Sequence, residues 1–113
     1  MSGMGSRFLQ AGYRAAKPLI RIDGKHMIEH VLSMYPGNHD VVFICNNEHI
    51  RQTPMRLVLA RIAPHAEIIG IPPHKNGPVY ALTYVWDVIS DQEPVLVSYC
   101  DFTANWDFDA FLK

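Results

Sequence analysis

An α/β domain built on a parallel sheet is the fold class that this sequence predicts, for three reasons. Short apolar runs of strand length alternate with amphipathic segments of helix length, which is the order typical of parallel sheets. The runs over 41–45 and 68–71 are continuously apolar, as in strands buried on both faces. The chain has 113 residues, of which 49% are hydrophobic, and this suits one domain over residues 1–113.

The first half of the chain changes from loop to strand to helix and back to strand. The glycines and the proline of residues 1–18 are typical of a loop. Asp23-Gly24 indicates a turn and the start of a helix, and Pro36-Gly37 ends that helix. The predicted elements are a loop over 1–18, a short strand over 19–22, a helix over 25–35 and a buried strand over 41–45.

The second half repeats the alternation. Thr53 is a typical N-cap residue, and Pro54 after it suits the first position of a helix. Asn76-Gly77-Pro78 begins another helix. The face that this helix buries is expected to consist of Val79, Leu82, Val85, Trp86 and Ile89. The predicted elements are a helix over 53–62, a strand over 68–71, a helix over 76–89, a strand over 95–99 and a helix over 102–111.

Charge and composition exclude several classes of protein. The formal net charge is −1, so no general attraction to nucleic acid or to an anionic membrane is expected. No apolar run approaches the ~20 residues needed to span a bilayer, and the N-terminus lacks the apolar segment of a signal peptide. We predict a cytoplasmic location without membrane insertion, with Cys45 and Cys100 as small reduced core residues.

The beginning of the chain carries a pattern suited to phosphate. Gly3 and Gly5 allow backbone N–H groups to approach an anion, and Arg7 and Lys17 supply positive charge. The third glycine of a dinucleotide fingerprint is absent, and no Gly-Lys follows at the spacing of a Walker A loop. The sequence therefore predicts a local anion site of another kind.

Polar residues follow each predicted parallel strand. Asn46-Asn47, the loop over 74–77 and Asp101 come after the predicted strands. Because ligands of parallel α/β sheets bind outside the carboxyl ends of the strands, these loops are the candidates for a binding site.

Four motifs in this order resemble the N-terminal half of the sugar nucleotidyltransferases, in particular those of capsule and surface-polysaccharide synthesis. The motifs are Gly3-Met4-Gly5-Ser6-Arg7-Phe8, Lys17-Pro18-Leu19-Ile20, Asn76-Gly77-Pro78-Val79-Tyr80-Ala81-Leu82 and Val97-Ser98-Tyr99-Cys100-Asp101. The resemblance implies a Rossmann-like, three-layer parallel sheet of the nucleotide-diphospho-sugar transferase type. It also implies transfer of a nucleotidyl group from an NTP to a sugar-1-phosphate or a similar phosphorylated group, with release of pyrophosphate.

The resemblance assigns roles to individual residues. Arg7 would stabilise the triphosphate and the leaving pyrophosphate, and Lys17 would bind the attacking phosphate and the α-phosphate. Asp101 would hold Mg²⁺, an ion usually bound by one or two carboxylates together with phosphates. The nucleotide-binding residues implied are Gly3, Met4, Gly5, Ser6, Asn76 and Gly77, with Gly77 lying against the base.

The chain departs from this family pattern in two respects. Ala16 stands where the family usually has proline, and the strand before the glycine loop and the C-terminal half are expected outside these 113 residues. We therefore expect a partial domain that is inactive alone and that associates with its missing part or with a second copy. A non-catalytic nucleotide-binding or interaction fragment of the same fold is the alternative.

A zinc site is a rival interpretation. His26, Glu29 and His30 match the H-x-x-E-H pattern of inverted zinc peptidases. The apolar stripe of the same helix predicts instead that both histidines lie on its solvated face, and no third ligand is evident. Asp101 has an alternative role as a cap of the helix over 102–111. Asp107 and Asp109 are interpreted as charges of a first helical turn.

Overall fold

The computed structural model describes residues 1–3 and 16–113 and contains short helices around two small sheets. The strands are β1 (Arg21–Ile22), β2 (Lys25–His26), β3 (Val42–Asn46) and β4 (Glu67–Ile71). The α-helices are α1 (Met27–Leu32), α2 (Asn47–Gln52), α3 (Met55–Ile62), α4 (Gly77–Leu82) and α5 (Phe108–Leu112). Two 3₁₀ turns cover Lys17–Leu19 and Thr83–Val85.

The parallel pair β3–β4 is the centre of the fold. Val42 pairs with Glu67 and Asn46 with Ile71 at the two ends of the ladder. Helices α2 and α3 connect the two strands, as a parallel crossover requires. This pair confirms the predicted α/β class and the positions of both strands to within one residue. Burial on both faces is not complete, because Glu67 is exposed and the next three residues of β4 are only partly buried. The three-layer sheet that the resemblance implies stays a prediction.

The core lies where α1, α3 and the 3₁₀ turn Lys17–Leu19 pack with β3. Cys45 of β3 and Met55 and Leu59 of α3 are fully buried. Both cysteines are free thiols, Cys45 buried and Cys100 partly buried against the core, as the sequence predicts. The remaining buried members are Ala16, Leu19, Ile28, Val31, Met34 and Phe43.

The strand predicted over 19–22 forms only over Arg21–Ile22, as the first strand of a β-hairpin whose second strand, β2, occupies the predicted helix start. Strands β1 and β2 pair antiparallel around Asp23 and Gly24, which have φ angles of 50° and 79°. Two successive positive φ angles make the tight turn that joins twisted hairpin strands. The backbone N–H of His26 donates to Glu29 Oε2 at 2.7 Å, so helix α1 begins at Met27 and not at residue 25. It ends at Leu32, before the predicted end at residue 35.

Helix α2 replaces the loop predicted at Asn46-Asn47. The Asn46 side chain accepts a hydrogen bond from the backbone N–H of Glu48 at 2.8 Å, which starts a helix directly after β3. In the next helix, Thr53 Oγ1 accepts from the backbone N–H of Met55 at 3.3 Å. The predicted hydrogen bond of Thr53 therefore forms, but the N-cap residue is Pro54 and not Thr53, and α3 begins at Met55.

Helix α4 begins at Gly77, one residue after the predicted start, and its buried face is only partly the predicted one. Val85 is buried as predicted and Ala81 is buried as well, whereas Val79 is 76% exposed and Trp86 is 73% exposed. The α-helix ends at Leu82, before the predicted end at residue 89, and continues as a 3₁₀ turn with three residues per turn.

The strand predicted over 95–99 does not form. In the described part of the chain β3 and β4 pair only with each other, so this segment has no neighbour with which to exchange backbone hydrogen bonds. Val95, Val97 and Tyr99 are accordingly 53%, 58% and 61% exposed.

The C-terminal helix is shorter than predicted. It begins at Phe108, where Asp107 Oδ1 accepts a hydrogen bond from the backbone N–H of Ala110 at 2.9 Å. Asp107 is therefore its N-cap, Asp109 lies in its first turn, and Asp101 caps no helix. Among the described residues, no helix combines the length and the apolar character needed to cross a bilayer.

Candidate nucleotide site

An ion pair joins two of the residues to which the resemblance assigns chemistry. Lys17 Nζ donates to Asp101 Oδ2 at 3.0 Å, across 84 positions of the chain. The Lys17 side chain is 25% exposed and the Asp101 side chain is 36% exposed. Both charged groups therefore lie at the edge of the fold, where solvent or a ligand can reach them.

Lys17 is positioned by a short, well-anchored turn. The backbone N–H of Leu19 donates to the carbonyl of Ala16 at 2.9 Å. Ala16, Pro18 and Leu19 are buried, while the lysine side chain between them extends outward. Because the neighbours of Lys17 are fixed in the core, the backbone of Lys17 has a defined position.

Asp101 is positioned by contacts on both sides. Before it, Cys100 packs against the core, and Ser98 Oγ accepts from the Tyr35 hydroxyl at 2.8 Å. After it, the Trp106 indole N–H donates to the carbonyl of Met34 at 2.9 Å. These contacts hold the irregular segment around Asp101 beside the residues that follow α1.

The N-terminal residues lie at the carboxyl end of β3. The backbone N–H of Asn46 donates to the carbonyl of Met1 at 3.3 Å. Ser2 is only 6% exposed, whereas Gly3 is exposed. No atom of the described residues lies within 4 Å of the position that a Cβ of Gly3 would take. The chain thus enters the glycine segment at the edge of the sheet where ligands of this architecture bind. Met4, Gly5, Ser6 and Arg7 lie outside the described residues.

The loop after β4 reaches the same N-terminal residues. His74 Nε2 lies 3.2 Å from Ser2 Oγ, and the backbone N–H of Asn76 donates to His74 Nδ1 at 3.2 Å. Gly77 has a φ angle of 83°, and among the described residues no atom lies within 4 Å of the position that a Cβ would take. The predicted Asn76-Gly77 segment and the beginning of the glycine segment are therefore neighbours.

The structure thus brings the predicted residues together in two groups. One is the Lys17–Asp101 pair, and the other joins Ser2 and Gly3 to the loop containing Asn76 and Gly77. The loop over 74–77 was predicted as part of a binding site, but no local pattern predicts the contact between His74 and Ser2.

The histidines of the rival zinc interpretation are engaged with the hairpin. His26 Nδ1 lies 2.9 Å from the carbonyl oxygen of Leu19, and His30 Nε2 lies 2.7 Å from that of Ile22. Both side chains are partly buried, so their placement on a solvated face was wrong. The described residues contain no group of three or more His, Cys, Asp or Glu side chains able to hold a metal ion.

Burial changes the acidity of two side chains near the carboxyl end of β3. It raises the pKa of the Cys45 thiol to about 11, so this cysteine is protonated and chemically inert at neutral pH. It also lowers the pKa of His49, which outweighs the opposing effect of Glu48. His49 Nδ1 is buried without a hydrogen-bond partner in the part of the chain that the structure describes.

A parallel α/β unit with a glycine segment and polar loops at the carboxyl edge of its sheet is typical of nucleotide-binding domains. Comparison with family models gives the particular class. The chain belongs to the MobA-like NTP transferase domain family, whose model matches residues 1–104. It is therefore a nucleotidyltransferase at the level of the family. Searches of curated proteins and of solved structures found no match.

Proposed function

We propose that this domain transfers a nucleotidyl group from an NTP to a sugar-1-phosphate or a similar phosphorylated group. The observation that carries the proposal is the Lys17–Asp101 ion pair, 3.0 Å long and partly exposed, in a chain of the NTP transferase family. A cation and a carboxylate held together at an accessible edge suit a ligand that brings both phosphates and a divalent ion. The products are a nucleotide-activated sugar and pyrophosphate.

The reaction asks the protein mainly for positioning and for neutralisation of charge. An oxygen of the acceptor phosphate forms a bond to the α-phosphorus, and the bond from that phosphorus to the bridging oxygen of the leaving pyrophosphate breaks. Lys17 orients the acceptor phosphate against the α-phosphate, and Arg7 neutralises the departing pyrophosphate. The glycine segment binds the phosphates through backbone N–H groups, and Asn76 and Gly77 bind the base. The nucleotide-binding set proposed is Gly3, Met4, Gly5, Ser6, Asn76 and Gly77.

Asp101 fits a site for Mg²⁺ shared with the nucleotide. Its carboxylate is a hard oxygen donor, and Mg²⁺ in such sites needs only one or two carboxylates besides phosphate oxygens. Bound Mg²⁺ would neutralise charge on the triphosphate.

The biological setting is proposed from the resemblance to capsule and surface-polysaccharide nucleotidyltransferases. Activated sugars for such polymers are made where nucleoside triphosphates are available, so we place the reaction in the cytoplasm. Association with a second copy or with the remainder of the domain stays a prediction.

The proposal is tested by titrating the 113-residue chain with each of the four common NTPs in the presence of Mg²⁺. Pyrophosphate release with sugar-1-phosphates is then measured, both in this chain and in the longest coding frame that contains it. We expect saturable binding of at least one NTP by the chain and turnover by the longer protein. Binding with no turnover in either would favour the non-catalytic alternative, and the absence of any binding would contradict both.

A further inference from the structure

His74 joins two segments that are far apart in the sequence. Its Nε2 atom lies 3.2 Å from Ser2 Oγ, 72 positions away, and its Nδ1 atom lies 3.2 Å from the backbone nitrogen of Asn76. One imidazole ring therefore contacts both Ser2, which precedes Gly3, and Asn76, which precedes Gly77.

The two contacts assign the proton on the ring. A backbone N–H can only donate, so His74 Nδ1 accepts the hydrogen bond from Asn76 and carries no proton. In a neutral imidazole the other nitrogen then carries the proton. His74 Nε2–H therefore donates to the Ser2 hydroxyl, and the ring is polarised in one direction, from the loop after β4 toward the N-terminal segment.

The surroundings hold this ring in place. The Tyr80 ring packs against it with 4.9 Å between ring centroids, and the Tyr80 hydroxyl lies 3.2 Å from that of Tyr84. The acceptor Ser2 is itself buried, with 6% of its surface exposed. A buried hydroxyl that lost this partner would be left unsatisfied, which makes the contact costly to break.

We propose that His74 is a positioning residue that fixes Ser2 and Gly3 relative to the Asn76-Gly77 loop, so that one nucleotide can contact both. The proposal rests on the proposed function, because the ligand that spans the two segments is the NTP. His74 acts through Ser2 and through the Asn76 backbone and does not itself bind the nucleotide.

The tautomer is tested directly by NMR of the full chain labelled with ¹⁵N at histidine. Two-bond ¹H–¹⁵N correlations distinguish a protonated ring nitrogen from an unprotonated one. We expect the His74 resonances to show a bare Nδ1 and a protonated Nε2 near neutral pH. A proton on Nδ1 would overturn the assignment, because the hydrogen bond from Asn76 would then be impossible.

The positioning role is tested by a double-mutant cycle with His74→Phe and Ser2→Ala. Phenylalanine keeps the packing on Tyr80 and removes both hydrogen bonds, and the serine change removes only the link to the N-terminal segment. We expect each single change to weaken NTP binding by about 3- to 10-fold, the range for losing one hydrogen bond. The double variant should bind no more weakly than His74→Phe. The matched control is His65→Phe, on the exposed turn between α3 and β4, which should leave binding unchanged.

Two further arms separate this inference from the proposed function. His74→Gln can still donate to Ser2 and is expected to restore most of the affinity lost in His74→Phe, which a merely structural role would not predict. Unchanged affinity in both single variants, or losses that multiply in the double variant, would overturn the positioning role alone. Absence of NTP binding by the unaltered chain would overturn the proposed function and the positioning role with it.

Discussion

The ion pair between Lys17 and Asp101 contributes little to the stability of the fold. The side chains are 25% and 36% exposed, and pairs of this kind contribute ~0–1 kcal/mol to the free energy of unfolding. The pair joins residues 84 positions apart in the chain, and the role that we propose for it is in ligand binding. Substitutions at Lys17 or Asp101 should therefore change the affinity for NTP with little change in the free energy of unfolding.

Replacing Lys17 by methionine should remove binding and preserve the fold. The apolar stem keeps its packing, whereas the charge that neutralises phosphate is lost. We expect NTP affinity to fall at least about 10-fold, in line with the cost of losing a charged hydrogen bond, and the free energy of unfolding to change by less than ~1 kcal/mol. Calorimetric titration and urea unfolding measure the two effects. Lys25→Met on the exposed part of β2 is the control, and equal affinity in both variants would contradict the assigned role.

His49 should make stability depend on pH. Burial lowers its pKa in the folded chain, while in the unfolded chain it takes a proton near pH 6.5. As the pH falls through this value the unfolded state binds the proton first, so the free energy of unfolding decreases. Urea unfolding at pH 7.5 and 5.5 should show a larger decrease for the unaltered chain than for His49→Phe. The same pH dependence in both would mean that His49 is not the cause.

At the scale of elements, the strongest periodic patterns were predicted correctly. Strands β3 and β4 are continuous apolar runs, and α3 has an apolar stripe with a capping threonine, so burial and local hydrogen bonding favour the same structure. Helix α2 was missed because its six residues bury none of their own side chains, and its start depends on one cap at Asn46.

The remaining errors arise from contacts that local patterns do not contain. The hairpin β1–β2 depends on positive φ angles at Asp23 and Gly24, and the same dipeptide is compatible with a helix start. The segment over 95–99 has strand composition but no ladder neighbour in the described chain. For the site, residue types predicted Lys17 and Asp101, but the His74–Ser2 contact depends on tertiary structure alone.

Helix α3 offers a direct test of where the core lies. Leu59 is fully buried and Leu57, on the same helix, is 76% exposed. Because truncation of a buried leucine removes apolar contacts and leaves a cavity, Leu59→Ala should lower the free energy of unfolding by about 2–5 kcal/mol. Leu57→Ala should change it by less than ~0.5 kcal/mol. Urea unfolding of both variants measures the difference, and similar losses at the two positions would show that α3 packs through another face.

At the scale of the whole molecule, the parallel sheet explains why the N-terminal residues and the loop after β4 lie together. At the carboxyl end of β3, the backbone N–H of Asn46 binds the carbonyl of Met1. In the loop after β4, the side chain of His74 contacts the hydroxyl of Ser2. With a formal net charge of −1, the molecule has no general field that attracts anions. Recognition of a triphosphate must therefore depend on a few local groups, which is why single substitutions are expected to have large effects on binding.

The most direct test of this account is the Mg²⁺ dependence of NTP binding in the unaltered chain and in Asp101→Asn. Asp109→Asn on the exposed first turn of α5 is the control. Calorimetric titrations measure the NTP affinity of each of the three proteins with Mg²⁺ and with excess chelator. We predict that Mg²⁺ strengthens binding by at least about 10-fold in the unaltered chain and in the control, as expected for a charge-assisted site. In Asp101→Asn this dependence should be lost. Equal Mg²⁺ dependence in all three proteins would contradict the site placed at Lys17 and Asp101.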